Sequence, residues 1–258
     1  MDPFTLTTYN VHCFPWTSPA IRDIVAWIVQ HSGTDIVALQ EIWCRHDEWS
    51  AAFAAHGWTF ARPARERHIA TLFGSGLATA WPAAKWRLTD SRFYPFLESS
   101  GLDQLTAKGW FRTDLHQRHT GAALRLINTH MQADYDIYGE EFRHVTEAIR
   151  RRQVAQIVST ETARIPTPTL VVGDMNTANC WFPAGWLWSR GQTAPAITFP
   201  SSAECLDHCT ALGPSTAMWK VEGFHVSRLD MSDHYPVSWL LSTSSQVSAQ
   251  ALSRSSHQ

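Results

Sequence analysis

The sequence predicts an α/β domain. Strand-like and helix-like segments alternate along the first two thirds of the chain, and no internal repeat or interdomain linker interrupts them. Several of the strand segments also end in polar side chains able to bind a metal. At 258 residues with 44% hydrophobic content, the chain can bury a sizeable core. We read residues 1–242 as a single domain. Residues 243–258 turn to Ser, Gln and Ala and form a polar tail expected to be disordered.

The first strand is LTTYNVH, residues 6–12. Ser18-Pro19 then reads as an N-cap followed by proline at the first helical position. Ile21, Ile24, Val25 and Ile28 follow at helical spacing, and Gly33 closes that helix. DIVALQ, 35–40, is a buried strand, and a second helix follows over roughly 46–56. The middle, 62–110, is less periodic and rich in turn residues. LRLINTHMQ, 124–132, is a strand, and 141–162 is the longest helix, with Arg150, Arg151 and Arg152 expected on a solvated face. TLVVGDMN, 169–176, is a buried strand with a polar end, and HYPVSWLLS, 234–242, is the last strand.

Composition excludes several classes. The five cysteines form no CxxC pair, so neither a disulfide framework nor a zinc site is suggested. No apolar run approaches the roughly 18 residues of a membrane span, and no basic segment followed by an apolar run marks a leader. The compartment stays open, and no protein partner is inferable. A net charge of -2 gives no global attraction to polyanions, although a local basic strip would still serve a nuclease.

The polar strand ends are the most informative feature. Asn10 ends TTYN, Glu41 ends IVALQE, and His130 follows INT. Asp174 and Asn176 end LVVGDMN, and Asp233-His234 precedes the final strand. Singly, each is an ordinary turn, cap or surface residue. Together they describe a polar site built on a rigid sheet.

The ordered set TYNVH, LQE, NTHMQ, GDMN, LDH and SDHYPV resembles the endonuclease/exonuclease/phosphatase superfamily, whose best-known nuclease is deoxyribonuclease I. The resemblance spans about 6–242. It implies a four-layer αββα sandwich of two packed mixed β-sheets with helices outside. His130-Met131-Gln132-Ala133, Ser232 to Val237 and the Asp103 to Gly109 segment, DQLTAKG, are similar to the neutral sphingomyelinase, phospholipase C-like branch.

The resemblance implies a metal-dependent phosphoric ester hydrolase. A phosphodiester repels nucleophiles, so catalysis needs a cation, an activated water and help for the leaving group. Glu41 is the best metal ligand, with Asn10 and Asp233 beside it. Mg²⁺ suits oxygen donors, and Mn²⁺ or Ca²⁺ can substitute. Asn10 offers the ion its amide oxygen, or a phosphoryl oxygen its NH₂. His234 is the expected general base, and Asp207 fixes its tautomer, as the resemblance implies. An Asp174 base is the variant. His130 donates to a non-bridging oxygen, while Asp174 and Asn176 orient water or phosphate. Lys108 holds a phosphate as a point charge. His12 is read as structural, and His208 is placed opposite Asp207 by strand alternation.

Trp181-Phe182-Pro183 and Trp186-Leu187-Trp188 form an aromatic cluster after the GDMN loop. Trp186 and Trp188 are expected to bind substrate, as a lip that enters a bilayer interface or grips an acyl group. The alternatives are a loop folded back onto the sandwich, or base stacking. The expected substrate is therefore a lipid or small phosphate ester, with peripheral membrane contact. Nucleic acid is the alternative substrate, and a phosphoinositide or small phosphomonoester is a further one.

Overall fold

The computed structural model describes every residue except 18, 31–32, 65–70, 136–138, 163–166, 188–195 and 244–258, together with the side chains of 214–215. Trp188, the Ser18 cap and nearly all of the polar tail lie outside the described residues.

The elements run β1 (Phe4–Cys13), α1 (Ile21–Gln30), β2 (Ile36–Ile42), α2 (His46–Ala54), β3 (Trp58–Ala61), β4 (Ala78–Pro82), β5 (Trp86–Pro95), β6 (Gly109–Gln117), β7 (Ala123–His130), α3 (Glu140–Thr162), β8 (Thr169–Asp174), β9 (Asp207–Leu212), β10 (Trp219–Val226) and β11 (Val237–Thr243). A six-stranded sheet has the order β10-β11-β1-β2-β4-β3, and a five-stranded sheet has the order β5-β6-β7-β8-β9. Both are mixed: β1 pairs with β2 and β7 with β8 in parallel, while β11 and β9 run antiparallel to their neighbours.

Side-chain alternation builds the layers. Phe4 and Leu6 of β1, Ile36 and Ala38 of β2, Leu124 and Leu126 of β7, and Leu170 and Val172 of β8 share one buried cluster between the sheets. The intervening residues face the helices. Tyr9, Val11, Val37 and Leu39 pack with the Ile21, Ile24, Val25 and Ile28 stripe of α1 and with Trp49 and Phe53 of α2. Ile127 and Val171 pack with Val154 and Ile157 of α3. This is the expected four-layer sandwich. Each fully buried aliphatic side chain contributes about 1.5–3 kcal/mol. The sheets are also tied by polar side chains: Gln40 Nε2 donates to Asn128 Oδ1 at 2.7 Å, and Asn128 Nδ2 donates to the carbonyls of Leu39 and Ala78.

Three expectations need correction. The 62–110 segment, aperiodic in sequence, contains β4, β5 and the start of β6. β5 is an edge strand, exposed along most of its length, so it has little apolar alternation to show. Residues 234–236 precede the final strand instead of opening it. Arg150 is buried and not solvated: its guanidinium donates to Gln132 O and to both oxygens of Asp134, whereas Arg151 and Arg152 remain exposed.

Candidate active site

The same alternation that fills the core places the polar strand ends. Asn10 continues the face of Phe4 and Leu6, and His130 that of Leu124 and Leu126. Asp174 continues the face of Leu170 and Val172, and Asp207 that of Cys209 and Ala211. All four therefore point between the sheets, at one edge of the sandwich. The register aligns them, with His130 opposite Asp174 and Asp174 opposite Asp207. Each is at most 4% exposed.

Glu41 reaches this edge differently. Gln40 already faces the second sheet, so alternation alone would turn Glu41 toward the helices. A left-handed backbone, φ 59°, redirects it. His12 (φ 46°) and Asn176 (φ 52°) are in the same region. Such residues cost of order 1–3 kcal/mol each and collect where a site demands them. Glycine is required at Gly173, where φ is 147° and a Cβ would lie 1.9 Å from Thr129 O. Just beyond it, Asn176 donates its backbone N–H to Asp174 Oδ1 at 2.9 Å, closing the turn that aims the carboxylate.

The side chains converge. Asn10 Nδ2 donates to Asp174 Oδ2 at 3.1 Å. His130 Nε2 lies 3.6 Å from Asp174 Oδ2 and 3.9 Å from Glu41 Oε1. His234 Nδ1 lies 2.8 Å from Asp207 Oδ2, and its Nε2 lies 3.6 Å from Asp174 Oδ2. His12 Nδ1 sits between Glu41 Oε2, at 3.3 Å, and Asp233 Oδ2, at 3.2 Å.

The two buried histidines are pushed in opposite directions. Burial, reinforced by the positive charges of Lys108 and His234, holds His130 well below the ordinary imidazole range, so it is neutral near pH 7. Burial opposes a charge on His234 as well, but Asp207, Asp174 and Asp233 outweigh it and raise the group to about 10. Burial pushes Asp174 up to about 6. Hydrogen bonds to Asp233 and Glu41 lift His12 to about 10.

Among the sequence-predicted residues, the structure brings together Asn10, Glu41, His130, Asp174, Asn176, Asp207, Asp233 and His234. Two are placed otherwise. Lys108 lines the cleft but is 4% exposed, and its ammonium donates to Met131 O at 3.0 Å and pairs with Asp103 at 3.3 Å. Most of its charge is thus spent within the protein. Trp186 is 5% exposed, stacks on His208 at 4.2 Å and donates its indole N–H to Ala178 O. It belongs to the core beneath α3 and cannot enter a bilayer from there. His208 lies on the face opposite Asp207, as alternation predicts.

Sequence reasoning undervalued His12. It lies two residues beyond Asn10, the spacing that keeps strand neighbours on one face. It missed the cleft wall altogether. A cleft of about 490 Å³ is lined by the catalytic-type groups and by Phe14, Trp16, Trp43, Phe73, Leu102 and Leu105. No single local pattern joins these residues, which come from the segments after β1 and β2, the 71–77 stretch and a 3-10 turn over Gly101–Leu105.

The model of the Endonuclease/Exonuclease/phosphatase family matches residues 7–234. The chain belongs to this family. Three solved structures illustrate the shared fold. Sphingomyelinase C from Streptomyces griseocarneus is 20% identical, with a TM-score of 0.67 over 93% of this chain and 99% of that one. A Staphylococcus aureus beta toxin mutant with bound magnesium ions is 18% identical, with a TM-score of 0.64 over 93% and 99%. D. rerio TDP2 complexed with single strand DNA product is 14% identical, with a TM-score of 0.71 over 94% and 100%. Among curated proteins, none matches the chain significantly.

Members of this family are phosphoester hydrolases. The donors in this member fit a hard divalent cation. Asp207 Oδ1 is buried without a hydrogen-bond partner, and the imidazole of His12, at 3.3 Å, is what faces the buried Glu41 Oε2. Asp174, Asp207 and His234 each bring a ligand atom within 4.8 Å of the others. Uncompensated buried carboxylates are costly, and a bound cation offsets that cost. Because His234 and Asp207 already share a hydrogen bond, Glu41 with Asn10 is the better-placed pair to hold an ion.

Proposed function

We propose that the chain is a Mg²⁺-dependent, sphingomyelinase or phospholipase C-like phosphodiesterase. Its substrate carries an apolar group beside the scissile phosphate. Glu41, with Asn10 and Asp233 nearby, would hold the ion, with Mn²⁺ or Ca²⁺ as substitutes. When bound, the ion supplies positive charge to the phosphoryl oxygens and lowers the proton affinity of the groups around it.

The remaining steps belong to the chain's own residues. His234, charged near pH 7 in the metal-free protein, takes a proton from the attacking water at Nε2 once a bound cation offsets the carboxylates that raise it. Asp207, on Nδ1, sets that tautomer and stabilises the imidazolium that forms. His130 is neutral, and Nε2 faces two carboxylates, which makes it the N–H position. It donates to a non-bridging oxygen as charge develops. Asp174 orients the water, itself oriented by Asn10 and Asn176.

The observation that carries the substrate assignment is the composition of the cleft. Trp16 is 71% exposed, Leu102 44% and Leu105 42%, and all three line the same cleft as the polar groups. Exposed Trp and Leu beside a phosphate site suit a lipid interface. Among the described residues, the cleft is lined by Glu41, Asp103, Asp134, Asp174, Glu204 and Asp233 but only Lys108 and Arg143 as permanent cations. A phosphate-tracking nuclease spends many Lys and Arg on the backbone, so a polyanion fits poorly here.

A panel of sphingomyelin, lysophospholipids, phosphoinositides and plasmid DNA, each with Mg²⁺, tests the proposal. Cleavage of a headgroup-bearing phospholipid faster than DNA supports it. Nicked DNA with intact lipids would overturn the substrate class and favour a nuclease.

A further inference from the structure

β1 and β2 leave the six-stranded sheet side by side, β1 ending at Cys13 and β2 at Ile42, two residues before Cys44. Cys13 follows Asn10 by three positions, and Cys44 follows Glu41 by three. Trp43 donates its backbone N–H to Cys13 O at 3.0 Å, so the two segments are still held together there. The sulfurs are 3.6 Å apart, and each also faces the other's carbonyl, at 3.8 and 3.6 Å. The other three cysteines make no such sulfur–sulfur contact.

We propose that Cys13 and Cys44 are a site of thiol–disulfide oxidation that staples the end of β1 to the end of β2 beneath the cleft. A disulfide needs the sulfurs at about 2.05 Å. The backbone hydrogen bond already fixes the approach of the two segments, so side-chain rotation supplies most of the remaining closure. Cys44 is half-buried and Cys13 fully buried, which sets the order of events.

The oxidant is a small-molecule disulfide. The Cys44 sulfur, having lost its proton, attacks one sulfur of that disulfide and expels the first thiolate, which takes up the proton. The Cys13 sulfur, losing its own proton, then attacks Cys44 Sγ and expels the second. Two protein thiols become one disulfide, two electrons pass to the small molecule, and two small thiols leave. Burial and the neighbouring Cys13 push the Cys44 thiol up to about 11, which makes the first step slow near neutrality.

The bridge closes a 31-residue separation around α1. It restricts the unfolded chain and pins the strand ends that carry Asn10, His12 and Glu41. It therefore holds the floor of the site whether or not a cation is bound.

The test oxidises the full chain with excess glutathione disulfide for several hours at alkaline pH, in EDTA. Denatured free thiols should fall from five to three. Peptide mapping should find one Cys13–Cys44 cross-link. The melting temperature should rise by roughly 5–10 °C. C13S and C44S should each fail to form the link and gain no such rise. Five thiols remaining, a persistent mixed disulfide on Cys44, or a link through Cys180, Cys205 or Cys209 would overturn the proposal. If one serine variant misfolds, the other and the wild-type peptide map still decide.

Discussion

His234 and Asp207 share a 2.8 Å contact between Nδ1 and Oδ2, formed by a loop residue just before β11 and the first residue of β9 in the opposite sheet. The pair bridges the two sheets at the mouth of the sandwich. It leaves Nε2 facing the cleft, the orientation a base needs. H234A should lower kcat by roughly 10²–10⁴-fold, the usual range for a general base. D207N should lower kcat with KM nearly unchanged. Near-native kcat in H234A would transfer the base role to Asp174.

Glu41 should set the metal requirement. Its Oε2 is buried beside His12 Nδ1, at 3.3 Å, and its backbone is strained toward the site. EDTA should abolish hydrolysis and Mg²⁺ or Mn²⁺ restore it. E41Q should raise the Mg²⁺ concentration for half-maximal activity by at least roughly tenfold, a difference of about 1.4 kcal/mol. Undiminished activity in EDTA would eliminate the ion.

Without metal, stability should depend on pH through His234. Its folded pKa, about 10, lies above the ordinary 6.5. The stabilisation is therefore fully present below about 6.5 and is lost as pH rises through about 10. Half-exposed His12, raised by its two carboxylates, adds in the same direction. In EDTA, unfolding free energy should fall between about pH 7 and 8.5, by up to about 1.4 kcal/mol per pH unit for the His234 proton. Denaturant titrations check this, and D207N should flatten the slope. A pH-independent D207N-like wild type would contradict it.

Gly173 should not tolerate a side chain. G173A places a methyl group 1.9 Å from Thr129 O with φ at 147°. The backbone of β7 must move, at about 3 kcal/mol or more. Chemical denaturation measures the loss, and a change under about 1 kcal/mol would mean that the two strands separate easily.

Two tryptophans should behave oppositely. W16A removes an exposed ring at the cleft mouth and should reduce activity on vesicles severalfold while sparing a soluble phosphodiester. W186A removes a buried ring stacked on His208 and should cost about 3–5 kcal/mol of stability. Loss of vesicle activity only in a folded W186A would restore the original lip.

The sequence by itself determined the layers and most of the site. Period-two runs ending in Asn10, His130 and Asp174 bury their apolar residues between the sheets, and the same alternation must carry the terminal polar residue to the same gap. The α1 stripe was legible for the corresponding reason, a fixed helical period. Tertiary structure decided what no local period encodes. β5 joined its sheet as an exposed edge, held by pairing with β6 instead of by apolar alternation. Lys108 and Arg150 looked like free cations but were buried because the fold brings Asp103 and Met131 O to the one, and Asp134 and Gln132 O to the other. Trp186 found His208 rather than a membrane. Glu41 turned into the site through one left-handed residue. The apolar wall of Phe14, Trp16, Phe73 and Leu102 exists only where separate loops meet, since loop position is fixed by the packing of the elements it joins.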